Sequence, residues 1–228
     1  MPDRREGYDE KLIQILESAC GIFAEKGYHH ASVRDVAAAT GVSPAGLYYY
    51  FCSKEELLFL ILDHSLTSLL GRVLKASAKA SDPETRIRSI IRAHMAFLSS
   101  HPSEMRVLAR EWDALTGAFR RRILRRQRQY AAVVIRTLRD LRPGTPRPEL
   151  RAAAMVLFGM LNWMHQWHMP QRDLSLDDIG EHFSRIFLLG FLPDAARERR
   201  EGDEGPKGEH PPLGGTGAPS SLLSGPGF

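Results

Sequence analysis

Three consecutive phenols, Tyr48, Tyr49 and Tyr50, follow a run of small residues, Ser43-Pro44-Ala45-Gly46, inside a segment that extends from Ser32 to Leu57. Phenolic hydroxyls donate hydrogen bonds to phosphate oxygens, and a helix that opens with small side chains can enter a major groove. This combination points to DNA contact rather than to acid–base or nucleophilic chemistry. Lys54 follows at the start of the next helix, where its ammonium can add a phosphate contact. An ordinary helical hairpin with surface tyrosines is the competing reading, but it gives no reason for the agreement of cap, proline, glycine and aromatic positions.

Positioning these groups takes two short helices and a turn. Ser32 caps the first helix, and Val33, Val36 and Ala37 form its apolar face at helical spacing. Gly41 supplies the turn. Ser43 caps the second helix, whose first position, Pro44, needs no N–H and already has a helical φ. Leu47 and Phe51 share its inner side, which leaves Ala45, Gly46, Tyr48 and Tyr49 outward.

The segment resembles the DNA-binding domain of the TetR/AcrR family of bacterial repressors. The resemblance runs through Tyr8 to Lys26, Gly27-Tyr28, Ser32-Val33-Arg34-Asp35-Val36-Ala37, Gly41-Val42-Ser43, Leu47-Tyr48-Tyr49-Tyr50-Phe51 and Ser53-Lys54-Glu55-Glu56-Leu57. It implies that Ser32, Ser43, Tyr48, Tyr49, Tyr50 and Lys54 hold phosphates, with Ala45 and Gly46 at the base edges. Many relatives carry Lys or another polar residue where this chain has Pro44, so a base contact made there is lost. Arg34 then becomes the best candidate for a bidentate guanine contact, with the Ala45 methyl against a thymine methyl as its complement.

At 228 residues, 43% hydrophobic and 25% charged, the chain has the composition of a soluble globular protein with a small and a larger domain. The start, MPDRREGYDE, lacks an apolar signal region, and Cys20 and Cys52 have no metal-ligand spacing; an intracellular protein with inert thiols is expected. The net charge of +4 does not come from the reader segment. Residues 1–54 hold six bases (Arg4, Arg5, Lys11, Lys26, Arg34, Lys54) against seven acids (Asp3, Glu6, Asp9, Glu10, Glu17, Glu25, Asp35). The excess lies in Arg120, Arg121, Arg122, Arg125, Arg126, Arg128, Arg136, Arg139 and Arg142.

The fold class is all-α, with no alternating strand pattern of useful length. Residues 1–53 form the helix-turn-helix domain, 54–196 a ligand-binding and dimerisation domain, and 197–228 a disordered tail rich in Gly, Pro, Ser and charge. Helices are predicted over 8–26, 54–80, 83–99, 103–115, 117–141, 149–168 and 176–192, besides the two of the reader. Apolar residues surround almost the whole circumference of the helix near 149–168, so it needs both a core and a partner. The predicted homodimer interface uses Leu157, Leu161, Met164, Ile179, Phe183, Ile186, Phe187 and Gly190. A membrane span over 152–169 is the weaker reading, because the stretch is short and holds Asn162, His165, Gln166 and His168.

The larger domain holds all three tryptophans. Phe97, Met105, Trp112, Phe119, Met155, Phe158 and Trp163 can converge on an apolar cavity, while Arg106, Arg110, Asn162 and His165 can orient a ligand. Filling core and interface is the competing role for each aromatic. No cofactor or metal is expected: His94, His101 and His168 lack convincing metal spacing, and the pair His165 and His168 at i, i+3 is by itself weak evidence for zinc. Phe158-Gly159-Met160-Leu161-Asn162-Trp163, followed by Trp167, resembles the C-terminal domain of TetR-type regulators of fatty-acid and steroid-ring breakdown, which respond to acyl-CoA thioesters. That resemblance implies a homodimeric repressor of a pseudo-palindromic operator, released by a hydrophobic, acyl-CoA-like effector. A DNA-binding architectural protein without small-molecule input and a helical enzyme are the alternatives; no local catalytic motif favours the latter.

Overall fold

The computed structural model of the protein describes residues 4–168 and 174–191. Among these, nine α-helices follow one another: α1 (Arg4–Lys26), α2 (Val33–Thr40), α3 (Pro44–Leu47), α4 (Lys54–Ser77), α5 (Pro83–Ser100), α6 (Pro102–Arg110), α7 (Gly117–Leu141), α8 (Arg147–Trp163) and α9 (Leu176–Phe191). Short 3-10 turns at Trp112–Ala114 and Met164–Gln166 break the two helices predicted over 103–115 and 149–168. The tail at 197–228 lies outside the described residues.

Local signals set most of the ends. Asp82 caps α5 by accepting from the Thr85 N–H at 2.9 Å, with Pro83 as its first residue. Ser53 caps α4 by accepting from the Glu56 N–H at 3.0 Å. Gly41 ends α2 with φ 65°, a left-handed backbone that a side chain would strain.

Two cores form, and α4 enters both. In the first, Ile15, Ala19 and Phe23 of α1, Val36 of α2, Leu47 of α3 and Phe51 pack with Leu57, Leu58, Ile61, Leu62 and Leu66 of α4. Val107, Trp112, Leu115 and Ile123 close this core, so it draws on chain far beyond residue 53. The second joins Leu69 and Val73 of α4 to Ile87, Ile90, Ile91 and Met95 of α5, Tyr130, Val134 and Leu138 of α7, and the inner faces of α8 and α9. Among the described residues α4 is the one helix long and apolar enough to cross a membrane, and Leu57, Leu58, Ile61, Leu62, Leu66, Leu69 and Val73 are buried in these two cores.

The circumference of α8 is divided. Ala154, Leu157, Phe158 and Leu161 face the second core, whereas Val156 and Trp163 are exposed. On α9, Ile179, Phe187 and Leu188 are buried while Ile186 and Leu189 are exposed. Five of the residues predicted for the dimer interface, Leu157, Leu161, Met164, Ile179 and Phe187, are therefore core residues of the single chain. The reason is helical phase: both sides of α8 and α9 are apolar, and these residues occupy the side turned toward α5 and α7.

Candidate nucleic-acid interface and effector region

The reader motif is held by interlocked caps. The Ser32 hydroxyl accepts from the Asp35 N–H at 3.2 Å, and the Asp35 carboxylate accepts from the Ser32 N–H at 2.7 Å and from its hydroxyl at 2.6 Å. Lys26, at the end of α1, donates to Asp35 at 2.6 Å and ties α1 to α2. The hydrogen bond from Lys26, followed by those from Ser32, holds the Asp35 carboxyl well below the usual carboxylate range. Ser43 accepts from the Gly46 N–H at 3.0 Å and keeps its own hydroxyl hydrogen for an outside acceptor.

Of the residues read as outward, Ala45, Tyr48 and Tyr49 are exposed, and so are the neighbouring Arg34 and Pro44. Tyr48 is 53% and Tyr49 73% exposed. Tyr50 is half-buried because Tyr8 of α1 stacks on it, ring centroids 5.0 Å apart, and also meets Tyr49 edge-on. Sequence reasoning missed Tyr8; its signal was an aromatic on the otherwise charged first turns of α1.

Three predicted contacts are modified by geometry. The Lys54 ammonium donates to the carbonyls of Tyr28, His29 and Ala31 at 2.8, 3.4 and 2.9 Å and lies over the Tyr28 ring, so it braces the loop before α2. A side chain on Gly46 would point inward, its Cβ only 3.0 Å from Val42 Cγ1 and 3.2 Å from Ser43 Oγ, so Gly46 serves the tightness of the turn and leaves Ala45 at the tip. The Ser32 hydroxyl donates within its own cap. The two thiols also differ: burial pushes Cys20 up to about 12, whereas Cys52 is exposed rather than buried.

The predicted effector residues fall into separate places. Trp112 and Phe119 belong to the first core, where Phe119 stacks on Phe59 at 4.7 Å, so they do not meet Phe97, Met105 and Phe158 of the second. Met155 is half-buried against the second core, and Trp163 turns outward at 66% exposure. Arg106 and Arg110 are exposed on α6, because the apolar face of that short helix carries Met105 and Val107 inward. The His165 side chain lies outside the described residues.

What the second core does contain is a buried polar pair that sequence reasoning set aside. His94 Nδ1 and the Tyr130 hydroxyl are 2.8 Å apart, and Phe158 meets the Tyr130 ring edge-on. Burial pulls the His94 imidazole down to about 4, partly offset by a hydrogen bond with Asn162, and pushes the Tyr130 phenol above its ordinary value. A crevice of about 50 Å³ opens where α1, α4, α5 and α6 meet, beside Cys20, Ser65, Phe97 and His101. It is well below the roughly 300–1,000 Å³ of a ligand pocket. Among the described residues no group of three or more His, Cys, Asp or Glu is placed to hold a metal ion.

A helix-turn-helix head, continuous through one helix with a helical body that leaves an apolar face uncovered, defines a two-domain DNA-binding regulator. Residues 15–61 match the bacterial regulatory proteins of the tetR family, and residues 80–191 match a tetracyclin repressor-like C-terminal domain. The chain belongs to the TetR family of transcriptional regulators. It is 30% identical to a TetR-family transcriptional regulator from Bordetella parapertussis 12822, with 80% of this chain and 98% of that one covered and a TM-score of 0.73. It is 26% identical to AibR in a complex with isovaleryl coenzyme A and operator DNA, covering 77% of this chain and 97% of that one at a TM-score of 0.70. Among curated relatives it is 25% identical to the transcriptional repressor KstR2 of Mycobacterium tuberculosis, over 79% of this chain and 92% of that protein.

Proposed function

We propose that the protein is a homodimeric repressor that holds a pseudo-palindromic operator and releases it when an acyl-CoA enters the C-terminal domain. Dimerisation is supported by the uncovered face formed by Val156, Trp163, Ile186 and Leu189, which a second copy covers by two-fold symmetry. In the DNA-competent dimer the two readers address half-sites about 34–36 Å apart. Tyr48, Tyr49, Ser43 and the half-buried Tyr50 hold phosphates, Arg34 and Ala45 read bases, and Ser32 and Lys54 act by bracing the motif. Tyr48→Phe with Tyr49→Ala weakens operator binding in a gel shift while the helical fold and dimer persist; wild-type affinity would remove these phenols from the interface. Arg34→Ala narrows the gap between operator and random DNA by about 1–3 kcal/mol. An unchanged specificity ratio would exclude Arg34 as a base reader.

The observation that carries the effector class is the likeness, over 77% of this chain, to a regulator held in complex with isovaleryl coenzyme A and operator DNA. Physical coupling is built into α4. An acyl chain entering the second core between α5, α7 and α8 displaces these helices, and α4 packs against both α5 and α7. The same helix begins immediately after the tyrosine run and fills the first core, so its displacement moves the reader. A medium-chain acyl-CoA raises the thermal midpoint and lowers operator affinity, with stabilisation of about 2.7 kcal/mol at a hundredfold excess over the dissociation constant. The free fatty acid does less. A panel of acyl-CoAs that moves neither melting nor operator release would reject this effector class and leave the family assignment standing.

A further inference from the structure

The opening turns of α7 are rich in arginine. Arg120, Arg121, Arg122, Arg125, Arg126 and Arg128 crowd its first three turns. Arg121 and Arg125, and likewise Arg122 and Arg126, are like-charge neighbours one turn apart, an arrangement that destabilises a helix. They also lie toward the positive end of the helix dipole, with no acidic residue in the first turn to offset them. Three are anchored: Arg120 lies over the Trp112 ring at 5.0 Å, Arg122 over the Phe59 ring at 4.6 Å, and Arg126 Nε reaches Asp63 at 3.1 Å. Anchoring does not disperse them. Arg122, Arg125 and Arg126 line one cleft of about 230 Å³ together with Asp63 and Gln129, between α4 and α7.

We infer that this cleft is a phosphate-binding site that receives the nucleotide phosphates of the effector, an assignment that rests on the acyl-CoA reading above. Three guanidiniums face a single carboxylate, and that carboxylate is engaged in aiming Arg126. Guanidinium forks match phosphate oxygens in pairs, and the Gln129 amide adds a donor. The cleft is too small for a whole coenzyme and suits one phosphate or a diphosphate; its concavity favours such an ion over the backbone of a duplex. Its walls explain how the charged end of an effector is felt by the reader. Phe59 and Asp63 lie one turn apart on α4, so a phosphate gathered by α7 presses on the helix that continues from the DNA-binding motif.

Arg125 carries the test, because it is exposed. Titration calorimetry on the full chain uses octanoyl-CoA, octanoyl-pantetheine, which lacks the phosphates, and inorganic pyrophosphate. Arg125→Ala weakens octanoyl-CoA by about tenfold or more, Arg125→Glu weakens it further, and Arg125→Lys recovers part of the loss. Octanoyl-pantetheine binds wild type and variants alike, and pyrophosphate competes with octanoyl-CoA only in wild type. Octanoyl-CoA affinity that ignores Arg125 overturns the cleft and leaves the acyl-CoA reading intact. If pyrophosphate binds through Arg125 but octanoyl-CoA does not bind at all, the anion site stands with a free phosphate compound as its ligand, and the acyl-CoA reading falls. Loss of operator affinity with a flatter salt dependence in Arg125→Ala would make these arginines DNA-backbone contacts and overturn the proposal.

Discussion

Leu189→Asp, alone or with Ile186→Asp, yields a folded monomer with little affinity for the operator. Leu189 is 74% and Ile186 59% exposed on the outer side of α9, so neither replacement disturbs the second core. In the proposed dimer the same positions are covered, and an unpaired carboxylate there loses its water without gaining a partner. Such a burial costs about 3–5 kcal/mol, which raises the dimer dissociation constant more than a hundredfold. Operator binding falls with it, because a nearly neutral reader depends on two linked half-site contacts. Sedimentation velocity gives the assembly state and circular dichroism the fold. Phe187→Asp is the contrast: at 6% exposure it sits inside the single chain, and its replacement gives unfolded or insoluble protein rather than a soluble monomer. A stable Leu189→Asp dimer would place the interface elsewhere.

That contrast marks the limit of what the sequence carried. Helix ends were legible where one residue type does one local job: Asp82-Pro83 starts α5, Ser43-Pro44 starts α3, Gly41 ends α2, and both bounds of α7 fall as predicted at Gly117 and Leu141. Apolar spacing also placed α1 and α4 correctly, since each has a recognisable buried stripe. The pattern failed on α8 and α9, where both sides are apolar and no local rule distinguishes the side that meets α5 from the side left bare. It failed in the same way for Trp112 and Phe119. An aromatic announces burial but not against what, and these two close the first core because α6 packs on α1 and α4 and the start of α7 brings Phe119 onto Phe59. Lys54 shows a related limit: its position fits a phosphate, but its ammonium donates to three carbonyls of the preceding loop, which the sequence alone does not bring beside it.

The buried pair at His94 sets the response of the folded chain to acid. In the unfolded chain the imidazole takes up a proton as the pH falls through about 6.5. In the folded chain burial keeps it neutral down to about 4, with Asn162 only partly offsetting the effect. Between those values the unfolded state binds the extra proton, so stability falls as pH falls, and below the lower value the loss is complete. The difference corresponds to about 3 kcal/mol between pH 7 and pH 4. Protonating carboxylates such as Asp35 also destabilise the fold toward the acid end, so the His94 share is isolated by difference. His94→Gln keeps a hydrogen-bonding side chain for the Tyr130 hydroxyl and does not titrate. Urea unfolding at pH 7, 5.5 and 4 should show the variant losing about 3 kcal/mol less than wild type over this interval, whatever its stability at pH 7. Equal losses in the two proteins would mean that His94 is protonated in the folded state, with water or a rearranged Asn162 reaching it. In that event the second core is open to water, and an entering acyl chain need not displace α4.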